Sequence, residues 1–153
     1  MSKIISVDDK IVFSSVEEVC KEYFNEGIKE FRVDGCAIRD KKYFANLDIK
    51  YNKEYEDWKH ALWFPNASSG SWGNFLTCNE QVLIEKDANG KTELKSDKYE
   101  EYRITFIKEK IDNRKVYRFI GVFKCFKEYK GADDLVKRIF ERVDKKVEIT
   151  HKQ

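Results

Sequence analysis

The sequence has few histidine and cysteine residues, which are common metal ligands, and it has no long apolar run. It has one proline, two histidines and four cysteines among 153 residues, and the cysteines (Cys20, Cys36, Cys78 and Cys125) form no Cys-x-x-Cys pair. We therefore predict no metal site, and reduced thiols as in a cytosolic protein. No apolar run approaches the roughly 18 residues that a membrane helix needs, and the N-terminus lacks a secretory signal pattern. These absences predict a cytoplasmic protein without a membrane partner.

The charge is nearly balanced, with 30 basic and 28 acidic residues and a net charge of +2. The halves differ, because residues 1–76 carry 11 basic and 13 acidic groups whereas residues 77–153 carry 19 and 15. Any surface that faces phosphate is therefore expected in the C-terminal half. Aromatic residues make up 14% of the chain and need a core, so we expect one folded domain over residues 1–153.

Apolar residues recur with a period near 3.6 in two segments, and three apolar residues fit the same period in a third. This period predicts helices over 15–26 and 132–144 and, from three residues, a short helix over 53–62. The apolar positions are Val16, Val19, Cys20, Tyr23 and Phe24 in the first, Ala132, Leu135, Val136, Ile139, Phe140 and Val143 in the second, and Tyr55, Trp58 and Leu62 in the third.

Between these segments the apolar period changes to two, which is typical of strands. Strands are predicted over 43–49, from Val82 through Asn89-Gly90 toward Leu94, and as a hairpin of 102–107 with 116–126. The last strand is apolar on both faces, so it should be central. One face carries Tyr117, Phe119, Gly121, Phe123 and Cys125, and the other carries Val116, Ile120, Val122 and Phe126. The predicted fold is α+β: a curved, mostly antiparallel sheet or small barrel with two or three flanking helices.

Residues 58–75 hold all three tryptophans and the only proline, interleaved with serine and asparagine. Pro65 and Gly70 disfavour a regular helix, so the segment is predicted to be a long loop. Aromatic walls with a few hydrogen-bonding groups suit a flat heteroaromatic ligand, such as a nucleobase turned out of its strand. The alternative is that the tryptophans are core residues and that Asn74 caps a turn.

Two runs, Ser71-Trp72-Gly73-Asn74-Phe75-Leu76-Thr77 and Tyr117-Arg118-Phe119-Ile120-Gly121-Val122-Phe123, resemble the PUA-like β-barrel superfamily over residues 58–126. That superfamily includes the SRA, EVE and YTH modified-base readers, and related modules occur attached to restriction enzymes. The resemblance implies a nucleic-acid-binding module, for DNA or RNA, that holds a base in a barrel pocket. The candidate ligand-binding residues are Trp63, Trp72, Asn74, Ser69 and Ser71.

The resemblance also implies a basic groove, for which the candidates are Lys108, Lys110, Arg114, Lys115 and Arg118, together with Lys95, Lys98 and Arg103. The alternative is that these lysines form the solvated edge of a hairpin.

A metal-dependent nuclease of the PD-(D/E)xK type is the main alternative function. Asp34, Asp48 and Lys50 have tolerable spacing, with Glu18 or Glu22 as a fourth group. Acid-x-Lys occurs seven times, however, so one such match is expected by chance. A small-molecule or protein-interaction domain is a third alternative. No cofactor motif is present, so the sequence favours a binding module without catalytic residues or cofactor, and a nuclease partner would supply any cutting activity.

Overall fold

The computed structural model describes residues 2–26, 33–34, 37–67, 72–87 and 100–152, with the backbone alone at residues 33, 34, 72, 73 and 87. The helices are α1 (Val16–Tyr23) and α2 (Lys41–Phe44), with a 3₁₀ turn at Val7–Asp9. The strands are β1 (Ser2–Ser6), β2 (Val12–Phe13), β3 (Val33–Asp34), β4 (Ala37–Ile38), β5 (Leu47–Lys50), β6 (Lys59–Trp63), β7 (Trp72–Leu76), β8 (Val82–Asp87), β9 (Glu101–Ile111), β10 (Arg114–Lys130), β11 (Val136–Asp144) and β12 (Lys146–His151).

The strands form a large and a small sheet. The large sheet has the order β3-β4-β6-β9-β10-β11-β8-β7, with β2 paired to β10, and the small one has the order β1-β12-β5. Every pair is antiparallel except β6 with β9. The predicted fold class, a curved and mostly antiparallel sheet with few helices, is confirmed.

The large sheet curls until its two ends approach each other. Strands β6 and β7 are five positions apart in the sheet, which is about 24 Å in a flat sheet. Nevertheless, Asn74 Nδ2 on β7 donates to the carbonyl of Asn66, 2.9 Å away, and Asn66 extends the pairing of β6 with β9 at Lys108. Among the described residues no backbone pairing joins these ends, so the sheet is curled without being a closed barrel.

Each face of the large sheet has its own apolar core. We call the face enclosed by the curl the inner face, where Trp63, Ile120, Phe123 and Phe140 are buried together. The outer face of β4, β6, β9 and β10 packs against α1, α2 and the small sheet, and contributes residues such as Phe106. Because β10 is buried on both sides, its predicted central position is confirmed.

The predicted hairpin of β9 with β10 is confirmed, and its turn residues Asp112 and Asn113 have φ values of 50° and 64°, as a tight two-residue turn needs. The predicted faces of β10 are wrong beyond Phe119. A bulge between Phe119 and Gly121 inserts one residue, which moves Phe123 to the inner face with Ile120 and Val122 to the outer face with Phe119.

The predicted helix over 132–144 is wrong, because this segment contains β11. The strand lies between β10 and β8, and its buried positions alternate from Val136 to Arg142. Two of these four positions are arginines, whereas Ile139 and Val143 lie on the less buried face, so the apolar residues imitate a helical period. Just before the strand, the carboxylate of Asp133 accepts a hydrogen bond from the backbone N–H of Leu135 in a turn.

The predicted helix over 53–62 is also wrong. Its first half is a turn whose N–H groups at Glu54 and Tyr55 both donate to the Tyr102 hydroxyl, at 2.9 Å, and its second half is β6. The prediction of one long loop over 58–75 is wrong as well, because this segment contains β6 and most of β7. Residues 68–71, between these two strands, lie outside the described residues.

Of the remaining secondary-structure predictions, one is confirmed, one is partly wrong and one falls outside the described residues. The helix predicted over 15–26 is confirmed as the shorter α1, which Ser15 caps by accepting from the N–H of Glu18, 3.1 Å away. The strand predicted over 43–49 is wrong in its first half, because Asp40 caps α2 there and only β5 is extended. The hairpin predicted beyond β8 falls in residues 88–99, outside the described residues. In the described part of the chain, no helix is long and apolar enough to cross a membrane.

Candidate functional site

A buried arginine lies at the centre of the inner face. Arg103 on β9 is 3% exposed, and its guanidinium carbon lies 4.5 Å from the ring centroids of both Trp63 and Phe140. Burial lowers the pKa of Arg103, although Glu85 and Glu101 oppose this shift. The contact therefore combines a desolvated cation with two aromatic faces. It ties β6 to β11 across the two strands between them.

Glu101 neutralises this cation and connects it to the surface. Its carboxylate accepts from Arg103 Nε at 2.9 Å and from Arg39 Nε at 2.8 Å. Burial alone would raise the pKa of Glu101, but Arg103 and Arg39 together lower it below its ordinary value. Glu101 therefore stays ionised and holds both guanidinium groups.

A second buried ion cluster spans the neighbouring strands of the same face. Arg138 on β11 is 4% exposed and pairs with Glu85 on β8, with 3.3 Å between Nη1 and Oε1, and also with Glu128 on β10. Burial alone would lower the pKa of Arg138, but the two carboxylates raise it. The cluster fixes the side chains along one end of the inner face, because each buried charge has an opposite charge in contact.

Asn74 places an unpaired hydrogen-bond acceptor next to this cluster. It is the cross-strand partner of Glu85. Its Nδ2 donates to the carbonyl of Asn66, which can only accept, so the orientation of the amide is fixed. Its Oδ1 is buried and has no hydrogen-bond partner among the described residues. A buried acceptor left unpaired costs free energy, and this oxygen has the capacity to accept a hydrogen bond from an N–H or O–H group.

The other residues predicted to bind a ligand are placed as follows. Trp63 is on the inner face and 2% exposed, with its ring 4.8 Å from that of Phe140. Trp72 lies on β7, two residues before Asn74, with only its backbone described. Ser69 and Ser71 lie outside the described residues.

The five basic residues of the predicted groove divide between two sides of the β9–β10 hairpin. Lys108, Lys110 and Lys115 share one side, because Lys110 is the cross-strand partner of Lys115 and Lys108 is two residues away. Arg114 and Arg118 lie on the other side by the same alternation.

Arg118 bridges two carboxylates, with Nη2 at 2.6 Å from Glu80 and Nε at 2.6 Å from Glu109. Burial alone would lower the pKa of Arg118, but these carboxylates raise it. Arg118 thus ties the β7–β8 turn to the β9–β10 hairpin. Of the remaining groove candidates, Arg103 is buried on the inner face, which corrects its assignment to a surface groove, and Lys95 and Lys98 lie outside the described residues.

The candidate nuclease residues lie in different sheets. Asp48 and Lys50 are on β5 of the small sheet, 3.9 Å apart and largely exposed, whereas Asp34 is on β3 of the large sheet with only its backbone described. Within the described ranges, no group of three or more histidine, cysteine, aspartate or glutamate residues could hold a metal ion.

Two cysteines behave as small core residues, as predicted for Cys20 and Cys125. Both are buried, and burial raises the pKa of each thiol to about 11. These thiols therefore stay protonated at neutral pH and are poor nucleophiles.

Sequence reasoning missed the ion cluster of Glu85 and Arg138, because no short motif marks it. A signal existed in β8, where Glu85 is two residues beyond the buried Leu83 and therefore on the same face. A charged residue on an apolar strand face indicates a buried ion pair or a binding site.

Comparison with known proteins agrees with this architecture. No curated protein sequence matches the chain. The solved structure of "The 5-Hydroxymethylcytosine-Specific Restriction Enzyme AbaSI" is similar to it, with a TM-score of 0.70 at 18% identity. The alignment covers 98% of this chain but 44% of that one, so this chain spans less than half the length of that enzyme. The family model described as "SET and RING associated domain" (SRA) matches residues 1–149. Because this match covers nearly the whole sequence, the chain belongs to the SRA domain family, one of the PUA-like families of modified-base readers that the sequence resembles.

Proposed function

We propose that this chain reads a modified cytosine in duplex DNA as the recognition module of a restriction system. The base is rotated out of the helix and held at the inner face of the large sheet. Family membership supports modified-base reading. The choice of cytosine, and the link to restriction, is supported by the similarity in fold to a restriction enzyme that is specific for 5-hydroxymethylcytosine.

The observation that carries this proposal is the buried and unpaired Oδ1 atom of Asn74. This oxygen can accept a hydrogen bond from the exocyclic amine of a cytosine, and the fixed amide keeps the oxygen in place before the base arrives. A position that is prepared in the free protein lowers the ordering cost of binding. The rotated base costs a few kcal/mol of stacking, which contacts of this kind must offset.

The walls of the proposed pocket come from the tryptophan-rich segment. Trp63 forms the back wall, held in one orientation by Arg103 and Phe140. Trp72, Ser69 and Ser71 are proposed to complete the pocket from the segment that leads into β7. Aromatic contact with a base contributes about 1–3 kcal/mol.

The DNA backbone is proposed to lie against the end of the β9–β10 hairpin. Four basic residues of this hairpin have no ion-pair partner among the described residues, so their charges are available to phosphate. They are Lys108, Lys110, Arg114 and Lys115. Arg118, which bridges Glu80 and Glu109, orients the hairpin. A nuclease partner is proposed to cut the DNA that this module has bound.

Replacing Asn74 by alanine should weaken binding of the rotated base, and with it the selectivity that depends on rotation of a modified cytosine. We expect affinity for a duplex with one central 5-hydroxymethylcytosine to fall about 10- to 100-fold, because one buried hydrogen bond is lost. Affinity for the unmodified duplex should change little, since phosphate contacts dominate there. The measurement is fluorescence polarisation with duplexes that carry cytosine, 5-methylcytosine or 5-hydroxymethylcytosine at one position.

The matched control is Asn46→Ala, which removes a surface asparagine hydrogen-bonded to Asn25 on the other side of the fold. This variant should keep the selectivity of the wild type. Equal affinity of the wild-type protein for all three duplexes would refute modified-base reading, and unchanged selectivity in Asn74→Ala would refute the role of the amide.

A further inference from the structure

A second candidate site lies outside the inner face. A cleft of about 360 Å³ opens between the start of α1 and the β9–β10 hairpin, and it is lined by Ser14, Ser15, Val16, Glu17, Lys108, Lys115 and Tyr117. We propose that this cleft binds one phosphate of the DNA backbone, within two linkages of the nucleotide held at Asn74. This inference rests on the proposed function and specifies where the DNA strand runs.

Two lysines line the cleft, Lys108 and Lys115, and a third lysine, Lys110, lies next to them on the same side of the hairpin. Lys110 and Lys115 face each other across the strands, and Lys108 follows on the same side. Like charges in directly opposed positions of a sheet are destabilising. Among the described residues none of the three has an ion pair, whereas Arg118 on the same hairpin has two. A phosphate bound in the cleft would oppose this repulsion through its contacts with Lys108 and Lys115.

The α1 side of the cleft contributes one hydroxyl donor and one opposing charge. The Ser15 oxygen accepts from the N–H of Glu18, so its own hydrogen remains to donate to a ligand. Ser14 is engaged, because its N–H and hydroxyl both donate to the carboxylate of Glu18. Glu17 is the carboxylate that lines the cleft, and it should weaken the binding of any anion.

A chain of contacts connects the cleft to the base-reading position. Asn74 donates to Asn66, whose neighbours pair with Lys108: Lys108 N–H donates to the Pro65 carbonyl at 2.8 Å, and Ala67 N–H donates to the Lys108 carbonyl at 3.0 Å. Since paired strands lie about 4.8 Å apart, the Lys108 backbone is roughly 10 Å from the Asn74 amide. A DNA strand whose base is held at Asn74 thus has its nearby phosphates within reach of the Lys108 side chain.

Single phosphates replaced by neutral methylphosphonates test this placement. In a modified duplex, we expect one linkage within two positions of the modified nucleotide at which the replacement lowers wild-type affinity about 3- to 10-fold. Lys115→Gln and Lys108→Gln should lose affinity by a similar factor and become insensitive to replacement at that same linkage. The slope of log affinity against log salt should fall by about 0.9 for each variant.

Two further variants make the outcome decisive. Glu17→Gln should bind DNA more tightly, by about 2- to 5-fold at low salt, because it removes a like charge from the cleft. The matched control is Lys145→Gln, which replaces an exposed lysine in the β11–β12 turn. Its affinity should still fall when the phosphate at that linkage is replaced by a methylphosphonate. Suppose that the wild type selects modified DNA but that Lys108→Gln and Lys115→Gln remain sensitive to methylphosphonate replacement at every linkage. The cleft assignment is then wrong while the proposed function stands. If the wild type does not select modified DNA, the proposed function itself fails.

Discussion

Replacing Gly121 by alanine is expected to lower the free energy of unfolding by about 3 kcal/mol or more. Gly121 forms the bulge of β10 with a φ of 119°, which residues with a side chain rarely adopt. A Cβ there would lie 2.7 Å from the backbone oxygen of Asp144 and 2.5 Å from Cδ of Arg142. The side chain of Arg142 can move, but the backbone oxygen belongs to β11 and cannot move without disturbing the sheet. Chemical denaturation followed by circular dichroism measures the change.

Gly131→Ala is the matched control for this prediction. A Cβ at Gly131 would meet the Nζ atom of Lys137 and a carboxylate oxygen of Asp133, which are the ends of side chains rather than backbone atoms. We expect a loss below about 1 kcal/mol. Equal stability losses in the two variants would contradict the account of the bulge.

Replacing Arg103 by methionine should lower the free energy of unfolding by about 3 kcal/mol at neutral pH. The substitution keeps an apolar chain between Trp63 and Phe140 but leaves Glu101 buried with only Arg39 opposite. Arg39→Met is the control, because it removes a more exposed partner of the same carboxylate. We expect it to lower stability by less than about 1 kcal/mol.

The pH dependence separates the electrostatic part of the Arg103 effect from packing. Because the pKa of Glu101 is lowered in the folded protein, its ion pairs stabilise the fold above about pH 4.5, the ordinary value. This stabilisation is lost as the pH falls through the lowered value. The difference between wild type and Arg103→Met should therefore shrink in acid. A difference that is constant from pH 7 to pH 3 would assign the effect to packing alone.

Local patterns in the sequence predicted some elements well. The hairpin of β9 with β10 was predictable, because Asp112-Asn113 is a turn sequence between alternating strands, and α1 because Ser15 and Glu18 give its cap. The strand β11 was not, since its buried face carries Arg138 and Arg142, which remove the apolar alternation that marks a half-exposed strand. The exchange of faces in β10 depends on one inserted residue, which no periodicity reveals.

The ligand-binding residues stay a prediction from residue types, to which the structure adds geometry. Asn74 stood out because amide and aromatic residues alternate in one short segment, and the structure adds that its Oδ1 is buried and unpaired. The ion pairs of Arg138 with Glu85, and of Arg39 with Glu101, join segments that are distant in the sequence. Such contacts follow from the strand order, which the sequence of a single chain does not state.

The rotated base is the central claim, and a fluorescent base beside it reports the rotation directly. In a duplex with 2-aminopurine next to a single 5-hydroxymethylcytosine, rotation of the cytosine removes a stacking neighbour and raises the 2-aminopurine emission. We predict a severalfold rise when the wild-type protein saturates this duplex, and little change with the matched cytosine duplex. Saturation of the modified duplex without any rise in emission would mean that the base stays in the helix.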